Sequence, residues 1–325
     1  MSQITKNHYL LLCTIAFFVI SSYLLKLTLV LINKESFDGE QPVNYNIFED
    51  EGKTIEYNQQ IRKFDSNYIS LSNEMINIFN EHDFTIENFI DGKTKKIVIF
   101  SALPDDFMKL EPIGFRKKIF VKTILPIVYI ENKKILLQRK KILEWWTETE
   151  GEFVSREFWP DWLERLSNEY YYEEENIGDL LMRVDIIPIS MAISQAVVES
   201  GWGTSRYSRE ANAIFGQYTF DESTGILPEK REENKKHFIK KFLSISESVS
   251  SYIKNLNTHF AYEELRKKRR ELRMDGKTLT GEELISYLSK YSERGKDYIA
   301  DLQSLLLEND FARFDKLNSS NLVEN

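Results

Sequence analysis

The sequence predicts a mainly α protein with a small β-hairpin lobe, preceded by an N-terminal transmembrane helix. Three observations lead to this fold class. An apolar stretch lies near the N-terminus, apolar residues recur at three- and four-residue spacing in most of the remaining chain, and residues 212–242 mix polar and apolar residues with Gly and Pro. The second pattern is typical of amphipathic helices and the third of a short hairpin.

Residues 9–32, YLLLCTIAFFVISSYLLKLTLVLI, are the predicted membrane anchor, and their only charge is that of Lys26. A helix of 24 residues rises about 36 Å, which exceeds the roughly 30 Å hydrocarbon layer of a bilayer. A cleaved signal peptide is the alternative, although no small-x-small cleavage site follows the apolar part. Residues 1–8 are then a short cytoplasmic tail and residues 33–74 a polar tether.

The predicted helices share apolar periodicity and lie in LSNEMINIFNEHDF, FRKKIFVKTILPIVYIENKKILLQRKKILEWW, the segment after Pro160, the segment after Pro188, SISESVSSYIKNLNTH and TGEELISYLSKY. Pro126 is expected to kink or split the second of them. Residues 95–104, KKIVIFSALP, predict a short buried strand or an extended segment. The basic stretch ELRKKRRELRMDGK contains interleaved acids, which favours a solvated helix face over an anion-binding surface.

Composition excludes several classes of function. A formal net charge of -8 argues against a general nucleic-acid binder, which requires a basic face. The single cysteine, Cys13, lies in the apolar stretch, so neither a disulfide framework nor a cysteine zinc site is predicted. The four histidines are scattered, which argues against a histidine metal site and against a Ser-His-Asp site. We expect neither a metal nor an organic cofactor.

Glu199 closes an apolar helix and is followed directly by Ser-Gly-Trp-Gly. On a helical wheel this acid lies at the edge of the buried stripe, and Gly201 is placed to end the helix in a left-handed conformation. Apolar surroundings raise the pKa of a carboxyl group, and a protonated Glu on a rigid helix suits the general acid of glycosidic bond cleavage. A glutamate that only hydrogen-bonds the following loop is the alternative.

The segments SQAVVESGWGTS and NAIFGQY resemble the signature of the bacterial glucosaminidase domain, glycoside hydrolase family 73. RVDIIPISMAISQ, SVSSYIKNLNTHFAYEELRKKRR and YSERGKDYIADLQSLL look like the Bax-like branch of that family, and IVIFSALPDDF and FRKKIFVKTILPIV resemble its N-terminal half. The resemblance implies a lysozyme-like helical domain with a small β lobe over residues 75–315. Within it, residues 75–180 are an N-terminal helical part and residues 181–308 the catalytic core, while residues 316–325 are expected to be a disordered tail.

The resemblance also implies hydrolysis of the β-1,4 bond after N-acetylglucosamine in the glycan strands of peptidoglycan. Glu199 matches the general acid of the family, and Tyr291 matches a tyrosine near its reaction centre. The substrate-binding residues predicted on this basis are Trp202, Asn212, Phe215, Gly216, Gln217 and Tyr298.

The second carboxylate is expected in the β lobe, where Glu232 is preferred because REENKKHFIKKF looks like the equivalent lobe segment of the Bax-like branch. The other acids of the lobe are Asp221, Glu222, Glu229 and Glu233. An inverting mechanism requires roughly 6.5–9.5 Å between the two carboxyl groups. Substrate assistance by the N-acetyl group would make the second acid dispensable.

The sequence therefore predicts a peptidoglycan N-acetylglucosaminidase anchored in the bacterial inner membrane, with its catalytic domain on the periplasmic side. A lytic transglycosylase or muramidase on the same body is one alternative. A non-catalytic scaffold that binds the cell wall is the other.

Overall fold

A computed structural model of the chain describes residues 69–94, 96–228 and 236–319. These residues are mainly helical. The α-helices are α1 (Ser72–Glu81), α2 (Ile86–Ile90), α3 (Ile113–Glu148), α4 (Asp161–Glu169), α5 (Ile177–Arg183), α6 (Ile189–Ser200), α7 (Arg206–Glu210), α8 (Ile245–Thr258), α9 (Glu263–Met274), α10 (Gly281–Leu284), α11 (Lys296–Glu308) and α12 (Lys316–Ser319). Among the residues described, no helix combines the length and the apolarity that crossing a bilayer requires. The predicted anchor at 9–32 lies outside them.

The first long helix, α3, is continuous through Pro126, so the predicted split does not occur. Proline removes one backbone hydrogen bond from a helix. Here the residues on both sides, including Ile124, Leu125 and Ile127, are buried, and this packing holds the helix together. Residues 97–100, before α3, form no strand and bury Val98 and Phe100, so the strand predicted as one alternative there does not form.

The helix α6 is the centre of the fold, and ten of its twelve residues are buried. Its N-cap is Pro188, which has no side chain able to cap the free N–H groups. Asp315 does so instead, because its carboxylate accepts from Ser190 N at 2.9 Å and from Ser190 Oγ at 2.6 Å. At the other end, Gly201 has φ 57° and ψ 47°, so the predicted left-handed cap is confirmed.

The small sheet contains β1 (Tyr218–Thr219), β2 (Gly225–Ile226) and β3 (Phe238–Lys240) in the order β1-β3-β2, with both pairings antiparallel. The lobe therefore contains the predicted antiparallel pair of consecutive strands, β2 and β3, and β1 adds a third strand to it. A short 3-10 helix, Glu222–Thr224, redirects the chain between the first two strands. Gly225 permits the additional pairing, because any Cβ at this position would overlap Phe238 Cβ.

The predictions for the C-terminal tail and for the basic stretch are each wrong in part. Residues 316–319, expected in a disordered tail, form α12, because Leu317 is buried and the Asn318 side chain accepts from Asn132 Nδ2 at 3.3 Å. The basic stretch in α9 is not only a solvated face, since Arg266 and Arg269 are buried. Both donate to backbone carbonyl groups of neighbouring segments, which satisfies guanidinium groups that a charge pattern alone assigns to solvent.

Candidate active site

Glu199 lies in the last turn of α6 and is half-buried. Burial raises the pKa of this carboxyl group, whereas a hydrogen bond from Tyr298 and the positive charge of Arg294 lower it. The net shift of the pKa is upward. The acid thus has the character predicted from its apolar surroundings: it holds its proton to a higher pH than an exposed glutamate.

A chain of buried hydrogen bonds leads to this carboxylate. Tyr252 Oη donates to Gln195 Oε1 at 2.6 Å, and Gln195 Nε2 donates to Tyr298 Oη at 3.0 Å. Since Tyr298 Oη accepts from Gln195, its own proton is directed toward Glu199, with which it forms a side-chain hydrogen bond. Burial raises the pKa of both Tyr252 and Tyr298. Both hydroxyl groups therefore remain protonated and act as donors.

Aromatic rings surround this chain and fix its geometry. Tyr291 stacks on Tyr298 with ring centroids 5.6 Å apart, and Phe215 stacks on Tyr252 at 3.8 Å. The hydroxyl group of Tyr291 donates to the carbonyl oxygen of Phe215 at 3.4 Å. Burial raises the pKa of Tyr291, and the charge of Glu199 contributes to this rise, so Tyr291 lies within electrostatic reach of the acid.

The turn that carries Asn212 and Gly216 closes over Glu199. Both residues have positive φ, 51° and 60° respectively. Asn212 Nδ2 donates to Phe242 O at 3.1 Å and thereby ties the turn to the segment after β3. A Cβ at Gly216 would lie 3.8 Å from Glu199 Oε2, so this glycine presents backbone, without a side chain, to the carboxylate. Asn212 and Gly216 were predicted to bind substrate, and that role stays a prediction.

Trp202 anchors the loop that follows the acid. Its ring lies 6.3 Å from that of Phe120 and 6.2 Å from that of Phe311, and Lys117 Nζ lies 4.5 Å from its centroid. The next residue, Gly203, is required by packing, because a Cβ there would come within 2.8 Å of Phe120. These contacts explain the Gly-Trp-Gly sequence structurally, and the predicted contact of Trp202 with a sugar remains a prediction.

The remaining predicted site residues are the candidate second carboxylates, Gln217 and Tyr298. Glu232, with Glu229 and Glu233, lies outside the described residues. The carboxylate of Asp221 stabilises the turn that follows it, because it accepts from Ser223 N at 2.9 Å and from Ser223 Oγ at 2.7 Å, and these bonds lower its pKa.

Gln217 is half-buried beside β1. Tyr298 is only 1% exposed, so in this structure it contacts Glu199 rather than an open groove.

The structure thus brings Glu199, Tyr291, Tyr298 and the turn at Gly216 together, and it adds Gln195 and Tyr252, which the sequence reasoning missed. One signal for Gln195 was present: it is a polar residue in a buried stripe, one turn before the acid, and buried polar groups require a partner. In the described part of the chain, no group of three or more His, Cys, Asp or Glu side chains is placed to hold a metal ion.

Comparison with known proteins places these residues inside one matched segment. A family model described as Glucosaminidase, mannosyl-glycoprotein endo-beta-N-acetylglucosaminidase, matches residues 175–310. The chain is also 35% identical over 201 residues to Protein bax of Escherichia coli (strain K12), an alignment that covers 61% of this chain and 71% of that protein. No solved structure matches the chain at a significant level.

Proposed function

The chain belongs to the glucosaminidase family, in its Bax-like branch, and from this premise we propose that it cleaves the β-1,4 bond after N-acetylglucosamine in peptidoglycan. Glu199 is the general acid of this reaction. The observation that carries the proposal is the placement of a half-buried carboxyl group with a raised pKa at the end of a rigid, buried helix.

The chemistry follows from that placement. Glycosidic cleavage requires a proton on the departing sugar oxygen as the C–O bond breaks, and Glu199 holds that proton because burial disfavours its charged form. Once the proton has moved, the carboxylate is negative and accepts the hydrogen bond from Tyr298. The bond is therefore stronger after proton transfer than before it, which is the condition for lowering a barrier.

The water that completes the reaction needs a second group. We assign this role to Glu232 of the β lobe, which activates the water or stabilises positive charge at the anomeric carbon. The N-acetyl group of the substrate is the alternative nucleophile.

The location of the substrate determines the topology that we propose. Peptidoglycan lies outside the cytoplasmic membrane, so residues 9–32 anchor the chain in that membrane. The polar tether, predicted at residues 33–74 and shortened by the start of α1 at Ser72, spans the gap to the catalytic domain. The absence of charge in residues 9–32 other than Lys26 supports this assignment.

Digestion of purified peptidoglycan tests the proposal. The full chain is compared with Glu199→Gln, Glu232→Gln and the control Glu282→Gln, which removes an exposed acid from α10. Mass spectrometry of the wild-type products is expected to show reducing N-acetylglucosamine ends. Glu199→Gln should lower the rate by a factor of about 10²–10⁴ without loss of binding, because only proton transfer is removed. Glu282→Gln should match the wild type.

The products also distinguish the alternatives. Anhydro-muramyl ends would identify a lytic transglycosylase, and reducing muramic acid ends a muramidase. A wild-type chain that binds peptidoglycan and never cleaves it would identify a scaffold. Full activity of Glu199→Gln would refute the assignment of the acid.

A further inference from the structure

A pocket of about 320 Å³ lies around the buried carboxylate of Asp185, which precedes α6 in the chain. The helix rises about 18 Å over its twelve residues, and Glu199 lies in its last turn. The pocket and the candidate acid are therefore at opposite ends of α6, roughly 20 Å apart. This pocket is not part of the candidate active site.

Three guanidinium groups converge on Asp185. Arg273 donates two hydrogen bonds to it, Nη2 to Oδ1 at 2.8 Å and Nε to Oδ2 at 3.2 Å. Arg139 Nη1 lies 3.7 Å and Arg269 Nε 3.8 Å from Oδ2. One negative charge thus faces three positive charges. Buried charges are costly unless they are paired, so a surplus of two positive charges calls for an anion.

Backbone contacts reduce this surplus only in part. Arg139 Nη1 donates to the carbonyl oxygens of Leu181 and Val184. Arg269 Nη2 donates to Met182 O, and its Nη1 donates to Asp185 O, Ile186 O and Asn257 Oδ1. These acceptors are neutral, and those near the C-terminus of α5 add the partial charge of a helix end. The end of a helix carries about half a negative charge, which is less than the surplus. Burial lowers the pKa of Arg269 to about 10, and the group therefore stays charged at neutral pH.

The fourth arginine of the pocket, Arg270, does not compensate, because it pairs with Asp179 at 3.2 Å and that pair is neutral. Nη2 of Arg139 and Nη1 of Arg273 donate to no described residue. Both side chains are partly exposed, 17% and 23% respectively, and both line the pocket. The pocket thus offers free, charged donors to a ligand.

The rest of the lining is apolar and comes from α3, α5 and α9. Leu143 and Trp146 form the wall on α3, Met182 the wall on α5, and Met274 the rim on α9. A free inorganic ion would leave this wall uncovered, whereas a ligand with an apolar part would cover it. The wall therefore favours an anion attached to a short hydrocarbon chain.

We propose that this pocket binds an oxyanion, a carboxylate or a phosphate, carried on a short apolar chain. The oxyanion accepts from the free guanidinium donors of Arg139 and Arg273, and the apolar chain lies against Trp146 and the two methionines. This assignment goes beyond the proposed hydrolase activity and does not depend on it.

Methionine methyl groups report binding directly. The chain has six methionines, and Met182 and Met274 line the pocket, whereas Met75 and Met191 are fully buried elsewhere. The full chain, labelled with ¹³C at the methionine methyl groups, is titrated with hexyl phosphate, hexanoate, inorganic phosphate and 1-hexanol. Hexyl phosphate or hexanoate is expected to shift the signals of Met182 and Met274 while those of Met75 and Met191 stay in place.

Matched variants test the role of charge. Arg273→Gln should weaken binding of hexyl phosphate on the order of tenfold, because it removes a charge-assisted donor. Arg270→Gln changes an exposed arginine on the rim of the pocket and should weaken binding of hexyl phosphate less than Arg273→Gln does. It should also leave the fold intact, so it can be measured even where Arg273→Gln fails to fold. Lys267→Gln removes one positive charge from the outer face of the same helix, where Lys267 pairs with Glu263, and should bind like the wild type.

The outcomes separate the sources of the anion and decide the proposal. Tighter binding of hexyl phosphate identifies a phosphate ligand, and tighter binding of hexanoate a carboxylate ligand. Three results would overturn the proposal: equal shifts with 1-hexanol, no shift at Met182 and Met274 with either anion, or an affinity for hexyl phosphate in folded Arg273→Gln equal to that of the wild type.

Discussion

Burial raises the pKa of Glu199 and the hydroxyl group of Tyr298 opposes this rise, so removal of that hydroxyl group is the most direct test of the site. In Tyr298→Phe the ring and its stacking on Tyr291 are kept, while the hydrogen bond to the carboxylate is lost. That bond favours the charged form of Glu199, so its loss leaves burial opposed only by the positive charge of Arg294. The pKa of Glu199 should therefore rise further.

The expected rise in the pKa of Glu199 follows from the strength of the lost hydrogen bond. A hydrogen bond to a charged group contributes about 1.5–3 kcal/mol, and one pKa unit corresponds to about 1.36 kcal/mol. Because Glu199 is only half-buried, water replaces part of the lost bond, and we expect the lower end, about one unit. A general acid must be protonated, so the alkaline limb of the pH profile of kcat/KM should move up by about one unit. The maximal rate should fall, since the carboxylate formed in the transition state loses its donor.

Two measurements check this expectation in the full chain. The pH profile of kcat/KM is recorded with soluble peptidoglycan fragments. The pKa of Glu199 is read independently from the ¹³C shift of its carboxyl carbon, which is assigned by its disappearance in Glu199→Gln. Tyr252→Phe is the matched control, because it removes the same group one link further from the acid.

A pKa of Glu199 that stays constant or falls in a folded Tyr298→Phe variant would refute the reasoning. So would a shift of equal size in Tyr252→Phe, since the effect would then come from general loosening of the buried chain. If the pKa of Glu199 rises in Tyr298→Phe but the wild type hydrolyses no peptidoglycan, the role of Tyr298 is confirmed and the proposed activity is refuted.

Three further predictions concern the stability of the fold, each measured by urea unfolding. The pKa of Glu199 is higher in the folded than in the unfolded state, so ionisation of Glu199 lowers the free energy of unfolding as the pH rises above the unfolded-state pKa. The free energy of unfolding of Glu199→Gln should therefore exceed that of the wild type at pH 8 and equal it near pH 4. A difference that does not change with pH would contradict this. Asp185→Asn leaves three guanidinium groups without a carboxylate and should cost about 3–5 kcal/mol, against less than about 1 kcal/mol for the exposed control Asp179→Asn. Gly281→Ala places a Cβ on atoms at the start of α6 and should cost about 1–3 kcal/mol, whereas Gly114→Ala, with open space around it, should not destabilise the chain.

The acid and its helix could be predicted from the sequence because their determinants are local. The apolar stripe of α6, the acid at its edge and the left-handed Gly201 all lie within a few residues of one another. Helix periodicity and capping act over that range, so the prediction of a desolvated Glu199 needed no knowledge of the rest of the fold.

The features that were missed depend on distant partners. Gln195 receives its hydrogen bond from Tyr252, 57 residues later, and donates to Tyr298, 103 residues later. Arg269 looks like a surface charge within its own helix, and only contacts with the segment around Asp185, 84 residues earlier, show that it is buried. Strands of two or three residues, such as β1 and β2, are too short to show an alternating pattern.

The capping of α6 by Asp315 also determines when this helix can be completed during synthesis of the chain. The start of the helix that carries Glu199 is completed by a residue 125 positions further along the chain. At a synthesis rate of about 5–20 residues per second, this residue follows Ser190 by roughly 6–25 seconds. The N-terminal end of the acid's helix therefore lacks this side-chain cap while residues 191–315 are added, and a chain that stops before Asp315 lacks the cap altogether. Full assembly of the candidate site is in this way coupled to synthesis of the chain as far as Asp315.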